Sequence, residues 1–253
     1  MKGELLQVCR IVASAKKALK ENKKIIFESF KYEDSITFQL IEKKSWFGEK
    51  PFKTSNVAEW FDECCKRGLE DIKCLTPMQV EDRNLLGFSN SRQNIFVCFY
   101  KSGHVTYNTV HWDFQKERQA WTITYTEHRW DNPPQEKPEF YDNTADLVNV
   151  LNEIEKFAHF IECDHFANLF HEAALVAEGE SMKEMKLLID LPKKNLNLFK
   201  AASTADVFGA MGSWNDSPPY MAHEKNVDEQ YEHLSAELFR QLSLATLYAV
   251  NEW

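Results

Sequence analysis

The sequence predicts an α+β fold, and three observations predict it. Residues 93–130 alternate apolar and polar side chains with the period of two that strands require, while beyond residue 140 apolar residues recur every three to four positions, as in helices. The order is helix, hairpin, helix, meander, then helices only, which lacks the strict βαβ alternation of a parallel α/β fold. At 253 residues, 43% hydrophobic and 13% aromatic, the chain has the apolar content for a large core, which excludes disorder. With 8 Gly and 8 Pro and no tract of either, collagenous and low-complexity classes are excluded as well.

The first element spans Gly3 to Asn22. Leu5, Val8, Cys9, Val12, Ala15 and Leu19 repeat with helical period and leave Lys16, Lys17 and Lys20 outside, so an amphipathic helix with a core-facing stripe is expected. Lys24 to Tyr32 and Ser35 to Lys43, rich in Ile, Phe, Tyr and Thr and broken by Glu33-Asp34, predict a strand hairpin. Pro51 and the Thr54-Ser55-Asn56 cluster announce a helix from Val57 to about Arg67, which Gly68 ends; Val57, Trp60, Phe61 and Cys64 share one of its faces. Glu70 to Asn90 fits no single element.

Gln93 to Trp130 predicts an antiparallel meander. A tight turn at Gln115 to Arg118 sets Trp112 opposite Trp121 and Val110 opposite Ile123; a turn at Lys101 to His104 sets Ile95 opposite Val110, with Val97 beside Asn108. Both turns then assign the same apolar face to the core. Tyr107, Thr109, His111, Thr122, Thr124, Thr126 and His128 take the other face.

Asn132-Pro133-Pro134 and Pro138 mark the boundary between two expected subdomains packed as one unit, 1–140 and 141–253. The second reads helical throughout. Asp142 or Thr144 starts a helix through Ile161, and a run from Phe166 to Ala177 ends near Gly179. Lys186 to Leu191 suits a strand or a helical turn. Leu196 to Ala205 predicts another helix, and Val227 to Ala249 a last one.

Charge divides the chain in the same place. Residues 1–140 carry 22 Lys and Arg against 20 Asp and Glu, whereas residues 141–253 carry 8 against 19, a net of −11. That balance excludes nucleic acid and anionic membrane as partners of the second half, because phosphates require a basic stripe, and it steers a basic partner toward it. No stretch approaches the roughly 18 apolar residues of a membrane span, and Glu4, Gln7 and Arg10 interrupt any N-terminal signal. A cytoplasmic protein is expected, with Cys9, Cys64, Cys65, Cys74, Cys98 and Cys163 as thiols.

Catalytic patterns are sparse. Glu162-x-x-His165 has the spacing of a di-iron ligand pair, and His159 lies close by, but the second such pair that the chemistry needs does not occur. His171-Glu172 starts like a zincin helix and has Leu175 where the second His belongs. No metal or cofactor is therefore expected; a metal-dependent hydrolase built on His159, Glu162 and His165 is the enzyme alternative. Cys64-Cys65 beside Lys66 and Arg67 is the one candidate for a reactive thiol.

The most distinctive segment is Val207-Phe-Gly-Ala-Met-Gly-Ser-Trp-Asn-Asp216, with Ser217 and two prolines after it. Trp214, flanked by Asn215 and Asp216, has the composition of an interaction hot spot; it equally suits a buried plug between helices, the stronger of the two readings. This run, followed by a helix carrying Tyr231, Leu238 and Asn251, resembles the tail of uncharacterised bacterial proteins, some of them found at toxin and immunity loci. The resemblance covers about the last 50 residues. It implies a bacterial cytosolic protein with an immunity role and transfers no catalytic residue. The expectation is a non-enzymatic protein that occludes a basic toxin domain through Trp214, Asn215, Asp216, Asp228, Glu229 and Glu232. A self-associating structural subunit is the remaining alternative.

Overall fold

The computed structural model describes residues 3–41, 52–91, 93–181 and 184–253; the end of the expected strand at Ser35 to Lys43, beyond Ile41, and Pro51 lie outside them. Strands β1 (Glu33–Leu40), β2 (Phe52–Thr54), β3 (Leu69–Leu75), β4 (Ile95–Tyr100), β5 (Val105–Gln115) and β6 (Ala120–Arg129) form one sheet. Its order is β2-β1-β6-β5-β4-β3. Every neighbouring pair is antiparallel except β1 and β6, which run parallel. The helices are α1 (Gly3–Glu21), α2 (Val57–Lys66), α3 (Thr144–Phe160), α4 (Asp164–Glu178), α5 (Lys193–Thr204), α6 (Pro218–Glu224) and α7 (Asp228–Asn251). The fold is α+β, as the sequence predicts.

The meander forms where expected, with two corrections of register. Trp112 lies opposite Ile123 and Phe114 opposite Trp121, because the turn closes at Gln115 and Ala120 with Gln119 at φ +50, two residues wider than expected. A shift of two keeps each side chain on its face, so Trp112 and Trp121 still meet, their rings edge to face at 5.6 Å. The β4–β5 turn differs by one. Tyr100 N–H donates to His104 O across a three-residue loop with Gly103 at φ +81, so Phe96 lies opposite Asn108. An odd shift exchanges faces. Phe96, Cys98 and Tyr100 therefore face the main core, while Ile95, Val97 and Phe99 join Val105, Tyr107 and Trp130 in a small cluster on the other side.

The expected hairpin before β1 is replaced by a buried arginine. Arg10, 1% exposed, donates to both carboxylate oxygens of Glu33 at 3.2 and 3.4 Å, to Leu188 O at 3.2 Å and to Glu28 O. Its guanidinium also covers the rings of Phe27 and Phe30. Phe30 N–H goes to Glu33 as well, so two backbone groups that a ladder would use are bonded to side chains. Residues 24–30 form no strand, and β1 pairs with β6 instead. Lys16 departs from the expected exposed face of α1. It is buried, its Nζ donating to Asp71 at 3.0 Å and to Ile72 O.

Two cores result. One lies between the sheet, α1, α2 and the end of α7, with Trp60 of α2 stacked on Phe38 at 4.9 Å and Phe38 on Tyr125 at 5.0 Å. The other lies among α3, α4, α5 and α7. Helix α7 serves both: Tyr231 to Ala245 face the second and Leu247 to Val250 the first. At its end Asn251 bonds both the N–H and the C=O of Cys74 at 2.8 Å, satisfying backbone groups on the sheet's edge strand β3. Lys186 to Leu191 is neither strand nor helix, and α6, with prolines in its first turn, was not expected.

Candidate partner-binding surface

The distinctive segment folds as a loop between α5 and α6 held by its own polar groups. Gly212, at φ +77, donates its N–H to Asp216 Oδ2 at 2.7 Å, and Ser213 Oγ donates to Gly209 O at 2.8 Å. These turns drive Trp214 inward. The ring is 0% exposed, stands edge to face with Phe166 and Phe170 at 5.3 and 5.2 Å and stacks on Tyr231 at 5.5 Å. Its Nε1–H donates to Ser235 Oγ at 2.8 Å, and Tyr231 O–H donates to the Trp214 carbonyl at 2.7 Å. Trp214 is the plug of the second core rather than an exposed anchor. Asn215 is half-buried with its Oδ1 unpaired, and Asp216 is exposed while it shapes the turn. The tip of the loop shows Met211, 94% exposed.

The other three residues singled out in the sequence, Asp228, Glu229 and Glu232, stand exposed on the first two turns of α7. Acidic side chains there complement the positive end of the helix dipole, which gives Asp228 and Glu229 a structural reason as well. Asp228 Oδ1 lies 3.1 Å from His223 Nδ1, and Glu232 accepts from Arg83 at 2.5 Å. The α6–α7 corner meets the α3–α4 corner: Lys225 Nζ donates to Glu162 at 2.6 Å, and His159 Nδ1 lies 2.6 Å from Asp164. Asp164, Glu224, Asp228 and Glu229 thus share one exposed end of the helical half. Lys225 and the neighbouring histidines are its basic groups.

The residues of the hydrolase alternative have other partners at this corner. Glu162 is engaged by Lys225, His159 by Asp164, and His165 rests against the Phe166 ring. No group of three His, Cys, Asp or Glu able to hold a metal occurs among the described residues. At Cys65, burial and the neighbouring Cys64 and Asp62 push the thiol pKa up, which opposes the reactive thiolate expected from Lys66 and Arg67. Nearby, Glu127 is 5% exposed and accepts from Thr106 at 2.9 Å, Ile41 N–H at 2.9 Å, Tyr100 at 3.3 Å and Arg67 at 3.3 Å. A carboxylate so surrounded ties α2 to the sheet and leaves few lone pairs for chemistry.

Sequence reasoning missed the loop from Thr76 to Ser91. It lies across α7 and against the Trp214 loop, where a Cβ built on Gly87 would meet Ala210 N at 2.5 Å. It brings Arg83 to Glu232 and exposes Leu85 and Phe88. The only signals in the sequence were Pro77, Gly87 and the Asp82 cap, which accepts from Asn84 N–H at 2.8 Å. No helix among the described residues is long and apolar enough to cross a membrane. No protein-family model, curated protein or solved structure matches the chain.

Proposed function

We propose that this chain is a non-enzymatic bacterial cytosolic binding protein whose acidic helical end receives a basic protein partner, as an immunity protein occluding a toxin domain would. The observation that carries the reading is the placement of Asp228, Glu229 and Glu232 on the exposed first turns of α7, beside Asp164 and Glu224 from the adjoining corners. Carboxylates so grouped produce a field that speeds encounter with a cationic surface. Exposed Met211, Leu85 and Phe88 supply apolar contact area on the loops adjoining α7. Trp214 acts in this reading only by holding the surface in shape.

The test begins with capture of partners from the source cell on the immobilised chain and their identification by mass spectrometry. Association kinetics of the purified partner are then measured at low and high salt. A basic partner is expected whose on-rate falls with salt and falls again in the Asp228→Asn, Glu229→Gln, Glu232→Gln variant. A partner that associates equally fast under all these conditions overturns the reading, and a stable self-complex as the sole product selects the structural-subunit alternative.

A further inference from the structure

Between the Thr76–Ser91 loop and the middle of α7 lies a cavity of about 280 Å³. Its helical wall is His233, Ala236, Glu237 and Arg240, positions i, i+3, i+4 and i+7 on one face of α7, and Arg83 and Met78 face them from the loop. The loop wall is pinned on both sides of the cavity. Thr76 donates to Asn94 at 2.7 Å, Gly87 packs on the backbone at Ala210, and Asn90 bonds both backbone groups of Trp112 at 2.8 and 2.9 Å. The cavity is therefore preformed and lies just below the range of drug-sized ligand sites, about 300 to 1,000 Å³, which suits a compact ligand.

Each arginine of the wall has one carboxylate partner, and Arg83 keeps a donor unmatched. Arg83 donates one bond from Nη2 to Glu232, yet its Nε–H is buried without a partner. That Nε–H is closed off from the cavity as well as from solvent, so an incoming acceptor oxygen meets the outer Nη groups of the Arg83 guanidinium. Arg240 adds a second cation. The one carboxylate on the wall, Glu237, is already engaged by Arg240 at 3.1 Å and by Gln241 at 2.7 Å. Glu232 is 64% exposed and Arg83 15%, so solvent screens the carboxylate side of the pair, and an incoming oxyanion competes with Glu232 for the guanidinium. Met78 and Ala236 supply apolar contact for the rest of a ligand.

We propose that this cavity binds a small organic oxyanion, a carboxylate or phosphate head on a compact apolar body, with Arg83 and Arg240 holding the head. The site adjoins the proposed partner surface and shares Glu232 with it, but its test reads small-anion binding alone and stands whether or not a protein partner is found. The test uses benzoate and phenyl phosphate as probes and benzamide as the uncharged control, with binding followed by calorimetry and by amide shifts of residues 78–83 and 233–240. Both anions are expected to bind, and benzamide at least tenfold more weakly. The head is identified by which anion binds tighter. Arg83→Gln is expected to weaken the tighter anion at least tenfold and Ala236→Phe to abolish its binding by filling the cavity. Glu232→Gln, which frees the Arg83 guanidinium, is expected to tighten it severalfold, a gain that misfolding cannot mimic. Absence of saturable binding by either anion overturns the proposal. So does benzamide binding as well as benzoate, or an affinity that Ala236→Phe and Glu232→Gln both leave unchanged.

Discussion

Replacing Trp214 by Ala removes the largest side chain of the helical core, and the structure sets the size of the loss. The ring is fully buried among Phe166, Phe170 and Tyr231, with centroids 5.2 to 5.5 Å away. Truncating a buried Trp costs about 3 to 5 kcal/mol, and three oriented aromatic neighbours place this site in the upper part, about 4 to 5 kcal/mol. For a chain of this size about 2 to 4 °C is lost per kcal/mol, so the melting temperature is expected to fall by about 8 to 20 °C. Trp214→Phe separates packing from hydrogen bonding. It keeps most of the ring and removes one of the two side chains that bond the buried Ser235 hydroxyl, Tyr231 being the other, a loss of about 0.5 to 1.5 kcal/mol, and Ser235→Ala should cost less on that background than in the parent, a recovery relative to additivity in the double variant. Calorimetric melting of the four proteins is the assay. A Trp214→Ala loss below about 1 kcal/mol, or no recovery in the double variant, would refute the plug.

Burial also sets the alkaline limit. It pushes the Tyr231 hydroxyl up to about 12 and raises Tyr100 and Tyr125 too, whereas unfolded tyrosines ionise near pH 10. The unfolded chain then releases protons first, so these residues lose stability as pH rises from about 10, until Tyr231 ionises in the fold at about 12. Lys16, lowered by burial, contributes with the opposite sign, and Tyr231→Phe isolates the share of Tyr231: melting temperature should fall less steeply above pH 10 in that variant than in the parent. A second prediction concerns Gly87→Ala, whose Cβ would lie 2.5 Å from Ala210 N. Backbone must move, at a cost of about 1 to 3 kcal/mol, and amide hydrogen exchange should accelerate across residues 83–91 and 207–213 while α1 stays protected.

Helices α2 and α4 were legible because each announces itself twice, by apolar period and by its stop, whereas the short α6 does neither. Gly179, at φ +81, ends α4 where the sequence placed the end, and Asn56 caps α2 by accepting from Glu59 N–H at 2.9 Å. Sheet register was legible to its parity at the β5–β6 turn and not at the β4–β5 turn. The Lys101 to His104 segment permits a two- or a three-residue loop, and Gly103, by taking positive φ, selects the three-residue form that sends Val97 away from the main core. Nothing local could reveal the parallel pairing of β1 with β6. That pairing rests on Arg10 reaching Glu33 and on carbonyls at Glu28 and Leu188, contacts between residues up to 178 apart in the chain. The candidate surface divides the same way. Carboxylates at the start of α7 were visible in the sequence, whereas Arg83 joined them through a loop whose course is set by Gly87 fitting against Ala210.

The proposed capture of a basic protein by the acidic end of the helical half rests on long-range attraction. Its most direct test is the salt dependence of the association rate for the captured partner, in the parent chain and in the Asp228→Asn, Glu229→Gln, Glu232→Gln variant. Exposed charges act over about 8 Å at physiological ionic strength and much less in concentrated salt. The parent on-rate is expected to drop steeply as salt rises, and the variant to start lower and change less. Equal on-rates for the two proteins, flat across the salt range, would contradict the claim and leave the carboxylates at the start of α7 as caps for its helix dipole.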